Sequence, residues 1–147
     1  MTDPQSNNYK WFVLAILTVV YAFNFIDRQI LVILQEPIKA ELGLSDTQLG
    51  LLTGFSFAVV YVTAGIPIAW LADRSNRRNI VAVSLGIWSV MTALSGMVQN
   101  YTQLLLARLG VGLGEAGGSP PSHSMLSDYF PEEQRGTALS IYTTGIY

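Results

Sequence analysis

The chain alternates long apolar runs with short polar connectors. Leu49 to Leu71 and Ile80 to Val98 are two such runs, joined through the stretch Trp70 to Arg78. A run of that length crosses the roughly 30 Å hydrocarbon core of a bilayer as a helix. The same reading along the whole chain predicts an all-α membrane protein. After a polar tail at 1–10 come spans at about 11–36, 46–72, 79–98 and 101–128, then an incomplete fifth at 134–147.

Punctuation residues support these limits. Lys10 and Trp11 stand at an interface, and Pro37 ends or kinks the first span because it lacks a backbone donor. Gly43 suits a helix C-cap, and Ser45 with Gln48 reads as a capping box opening the second span. Gly50 and Gly54 are spaced for close helix contact, and Pro67 predicts a bend. Asn100 and Gln103 cap the fourth span, where Gly110, Gly114 and Gly118 predict tight packing and Pro120 and Pro121 a kink or break. Pro131, Glu132 and Glu133 open the fifth.

Composition agrees with lipid as the solvent. Half of the residues are hydrophobic and 12% are charged, against about a quarter charged in a soluble domain. A net charge of −2 without a basic stripe argues against nucleic acid. There are no cysteines, which excludes disulfides, thiolate metal sites and cysteine catalysis. Nothing calls for a cofactor. The polar start lacks the basic residues of a signal peptide, so the first span is expected to stay. Lys10, Arg74, Arg77, Arg78 and Arg135 fall on one side of these spans and Lys39 on the other. The bias predicts a cytoplasmic N-terminus in a multi-pass protein, placed in the inner or plasma membrane if bacterial.

The chemistry lies in charges that the spans should not contain. Asn24, Asp27 and Arg28 interrupt the first span, and Arg108 and Glu115 the fourth. At about 3 kcal/mol each, four lipid-facing charges would cost on the order of 10 kcal/mol. They are expected to pair or to line a wet interior. Asp27 lies about 24 Å along the helix from Trp11 and Arg108 about 10 Å from Tyr101, at comparable depth in antiparallel spans. Asp27 and Arg108 are therefore expected to meet. Glu115 lies two turns deeper, and Arg28 either snorkels outward or pins Asp27. Burial raises a carboxyl pKa and a nearby guanidinium lowers it, so cavity opening can change proton occupancy. Asp27, Glu115 and Arg108 are candidates for proton coupling. Arg28, Arg108, Glu115, Asn24 and Tyr61 are candidates for substrate binding, since a guanidinium can hold a phosphate or carboxylate with two donors. The plainer expectation is a buried Asp27–Arg108 pair that only holds two helices. His123 reads as a packing residue.

The connector Leu71, Ala72, Asp73, Arg74, Arg77, Arg78 resembles the signature loop between helices two and three of the major facilitator superfamily. Ala69 and Asn76 replace its usual glycines. Arg108, Gly112 and Gly114 resemble a second motif of that superfamily. Asn24, Asp27, Arg28 and the string Gly112 to Ala116 look most like the spinster group. The resemblance implies four helices and the start of a fifth from an N-terminal six-helix bundle, with a C-terminal half as partner. It also implies that Asp73 holds a helix of the second bundle when the inner gate closes. Arg74, Arg77 and Arg78 offset its charge, while Asp128 and, in the same connector, Arg135 join the set.

The expected activity is proton-coupled secondary transport by alternating access, with lipid-like or amphipathic anions such as lysophospholipid or sphingosine phosphate as substrates. Sugar, drug or organic-anion transport is the alternative, as is a truncated, non-transporting interaction fragment. No metal, nucleophile-elbow or phosphate-loop motif supports an enzyme.

Overall fold

The computed structural model describes residues 4–146; Met1 to Asp3 and Tyr147 lie outside the described residues. Helix α1 covers Pro4–Ile33, so the polar tail continues the first span as helix. It stops at Ile33, three residues before the expected limit. Pro37 has no N–H to offer the carbonyl of Ile33, and its ring would crowd that carbonyl. Pro37 instead sits in the first turn of α2, Gln35–Leu42, which Gly43 closes at φ 63°, a backbone conformation suited to glycine.

The second span is compound. Ser45 and Gln48 form the expected capping box at the start of α3, Asp46–Gly50. A π-helical turn follows over Leu51–Phe55, where the Ser56 N–H donates to the Leu51 carbonyl five residues back. α4, Ser56–Arg74, then carries Pro67 within a continuous helix. At this end of the bundle Asp46 accepts a hydrogen bond from Lys39. That bond, aided by the nearby negative charge, holds the ammonium above its ordinary pKa.

α5, Arg77–Ser95, begins on Asn76, whose side chain accepts from the Arg78 N–H. Asn76 has φ −71°, so the loop needs no left-handed residue where the family has glycine. The expected fourth span is two helices, α6 (Tyr101–Ala116) and α7 (Ser119–Tyr129), separated at Gly117 and Gly118. Pro120 and Pro121 cause the break, because their missing donors are tolerated only in the first turn of a new helix. α8, Glu132–Thr143, starts on Pro131 as N-cap and ends in a 3₁₀ turn, Thr144–Ile146.

Among the described residues three segments are long and apolar enough to cross a membrane: Asn8–Ile33, Asp46–Arg74 and Arg77–Ser95. α6 is the hub, packing closely along both α5 and α4, while α1 packs on α8 and the final turn. Glycines set the α5–α6 distance. A Cβ on Gly114 would come within 2.6 Å of the Trp88 backbone nitrogen, and one on Gly117 within 1.9 Å of Ser84 Oγ. Gly50 and Gly54, expected at such a contact, have nothing within 4 Å of a built Cβ. Two small apolar clusters tie the bundle at opposite ends. One joins Val13, Leu14 and Leu17 to Leu126, Phe130, Ala138 and Tyr142; the other joins Leu31, Leu52 and Leu104. The backbones of α1 and α6 approach little between them. Charge bridges that gap.

Candidate functional site

Two ion pairs cross from α1 to α6. Arg108 Nη1 donates to Asp27 Oδ2 at 3.2 Å, with both side chains under a tenth exposed. The residues of this first pair meet as their matched depth in antiparallel spans predicts. The second was missed: Arg28 Nε and Nη2 reach the same oxygen, Oε2 of Glu115, at 2.8 and 2.7 Å. Arg28 therefore neither snorkels away nor pins Asp27. Helical side chains lean toward the helix N-terminus, and the long Arg28 covers the depth that separates it from Glu115. The sequence carried the signal. An Asp-Arg step on one helix faces Arg and Glu seven residues apart on an antiparallel one.

The two pairs differ in access. The Glu115 side chain is 0% exposed, whereas that of Arg28 is 42% exposed. Glu115 Oε1 and Arg108 Nε are buried without a hydrogen-bond partner among the described residues. Groups in that condition normally recruit water or a ligand. Arg28 and Arg108 both line a cavity of about 240 Å³, walled by Leu52, Thr53 and Phe57 of the second span. Asp27 borders a separate, largely apolar groove of about 700 Å³ between α1 and α5, beside Trp88 and Thr92.

The aromatic surroundings of Arg28 were only partly anticipated. Its guanidinium carbon lies 5.3 Å from the ring centre of Tyr61 and 4.9 Å from that of Phe57, which sequence reasoning did not select. Asn24, one turn before Arg28, is half-buried and belongs to neither pair.

The connector residues form a second group at the far end of the bundle. Arg77 pairs with Asp128, tying the loop after α4 to the end of α7. Arg74 stacks on Trp70 at 4.1 Å. Arg135 Nε donates to the carbonyls of Ser127 and Phe130 at 3.0 and 3.1 Å, closing the end of α7. Asp73 and Arg78 are exposed. Asp73 makes no ion pair among the described residues, so the offset expected from Arg74, Arg77 and Arg78 is not a direct contact. Arg74 lies on Trp70 and Arg77 pairs with Asp128 instead. His123 packs edge-on to Tyr142, as expected.

Membrane-length helices thus close over paired charges, with one cation left half open. The chain belongs to the major facilitator superfamily, whose family model matches residues 17–147. It is 40% identical to an MFS-type efflux pump of Mycolicibacterium smegmatis over 98% of this chain and 34% of the pump. It is 35% identical to a probable L-galactonate transporter of Escherichia coli K12, over 87% of this chain and 28% of that protein. A solved bacterial homolog of the human lysosomal transporter Spinster, inward-facing and unoccupied, superposes with a TM-score of 0.91. The two share 44% identity over 99% of this chain and 30% of the homolog. The chain thus spans about a third of the length of the relatives it matches. It is an integral membrane protein related to transporters rather than to enzymes.

Proposed function

We propose that this chain is the N-terminal part of a proton-coupled secondary transporter of organic anions, working by alternating access against a second bundle. One observation carries the reading: a half-exposed Arg28, anchored on buried Glu115, stands beside the buried Asp27–Arg108 pair. An anion needs an accessible guanidinium, and a proton needs a carboxylate whose partner can compete for it. The adjacent backbone positions of Asp27 and Arg28 link the two events mechanically. Anion binding at Arg28 draws on the charge that Glu115 shares, while protonation of Asp27 loosens Arg108. Asn24 and Tyr61 complete the substrate side, and Asp73, Arg74, Arg77, Arg78, Asp128 and Arg135 the gate and topology set. The N-terminus is cytoplasmic on the charge bias already given.

The spinster-like residues Asn24, Asp27, Arg28 and Gly112 to Ala116 imply an amphipathic anion such as a lysophospholipid or sphingosine phosphate. The galactonate relative supports a sugar acid. Both present an anionic group to Arg28. In proteoliposomes of the intact transporter, an inward proton gradient should drive uptake of one of these, with labelled L-galactonate and lysophospholipid as separate arms. Uptake of neither, or uptake indifferent to the gradient, would contradict the reading.

A further inference from the structure

We propose that Phe57, together with Tyr61, is a positioning residue that fixes the Arg28 guanidinium with its end edge, Nη1 and Nη2, free for an anionic group. This rests on the proposed function above and specifies how that site is built.

A guanidinium offers two bidentate edges. Glu115 Oε2 occupies the side edge of Arg28, taking both Nε and Nη2. Nη1 and the outer N–H of Nη2 are left over, on a side chain 42% exposed. The ion also lies against two aromatic rings. Phe57 and Tyr61, one turn apart on α4, lie 5.8 Å from each other with planes 22° apart, and both rings approach Arg28. Phe57 has a firm backing in α6, since a Cβ built on Gly112 would stand 3.4 Å from its ring. The ring thus touches both the α6 backbone at Gly112 and the Arg28 guanidinium.

The π turn at Leu51–Phe55 lies immediately before this pair. It inserts one residue into a helix, so its removal would rotate the following segment by about 100° and carry both rings off Arg28. A guanidinium held on one edge and over its face has one orientation left, and presents a planar, two-point cradle to a carboxylate or phosphate.

Phenylglyoxal tests this without any transport, because it closes a ring across two guanidinium nitrogens. On the purified protein in detergent, adducts are counted by peptide mass spectrometry, with exposed Arg78 as reference and buried Arg108 as folding control. Wild-type Arg28 should be modified. Phe57→Leu should raise its rate relative to Arg78 about two- to fivefold, as expected for losing an exposed cation–π contact, and Phe57→Tyr should restore the wild-type rate. Tyr61→Leu gives the same rise if Phe57→Leu exposes Arg108 by unfolding. An unreactive Arg28, or rates unchanged in both leucine variants, overturns the proposal. In the intact transporter the KM for the anion should rise by the same factor with turnover unchanged. A changed adduct rate with an unchanged KM would keep the ring shelf and remove Arg28 from the anion site.

Discussion

Asp27→Asn is expected to abolish uptake driven by a proton gradient while leaving the protein folded and able to exchange substrate. The amide matches the carboxyl in size, and its oxygen can still accept the 3.2 Å bond from Arg108 Nη1. It cannot release a proton. Asparagine therefore imitates the protonated state that the proposed cycle must itself pass through. Reconstituted protein should lose accumulation under an imposed pH gradient and retain counterflow of labelled against unlabelled substrate. Full gradient-driven accumulation by the variant would remove Asp27 from the coupling mechanism.

Asp27→Ala should act on stability instead, lowering it by about 3–5 kcal/mol, the cost of stranding one member of a buried ion pair. Arginine cannot shed its charge to escape, and Arg108 is 95% buried. The backbones of α1 and α6 approach little, and only the small Leu31, Leu52 and Leu104 cluster packs close by when the carboxylate goes. Adding Arg108→Leu should recover most of the loss, because a matched apolar replacement leaves nothing unpaired. Thermal unfolding in micelles measures both. A double variant no more stable than Asp27→Ala would mean that the pair does not join these helices.

Much of the architecture was legible because lipid imposes simple rules on sequence. Run length marked the spans, Ser45 with Gln48 and Asn100 with Gln103 marked helix starts, and Gly114 marked a close approach. The break at Gly117 followed from Pro120 and Pro121, though a span count alone treats that segment as one helix. The π turn at Leu51–Phe55 left no comparable trace, since it depends on how the second span seats against its neighbours. Gly50 and Gly54 show the opposite failure: the spacing was suitable, but no described backbone comes near. Within the site, depth arithmetic found Asp27 with Arg108 because both lie at one level. It missed Arg28 with Glu115 because it ignored side-chain length and lean, which together span about two helical turns. Phe57 escaped notice because an aromatic in an apolar run looks like any lipid contact until Arg28 is placed over its ring.

Transport through this site requires Arg28 and its neighbours to face a watered interior rather than lipid. These residues contain no cysteine, so in the intact transporter with any remaining cysteines replaced, Tyr61→Cys would place the sole thiol beside Arg28. In proteoliposomes it should react with a membrane-impermeant thiosulfonate at a rate within about tenfold of Ser75→Cys in the exposed loop, as a water-lined position requires. Reaction only with a lipid-soluble maleimide, and none with the charged reagent, would contradict the account.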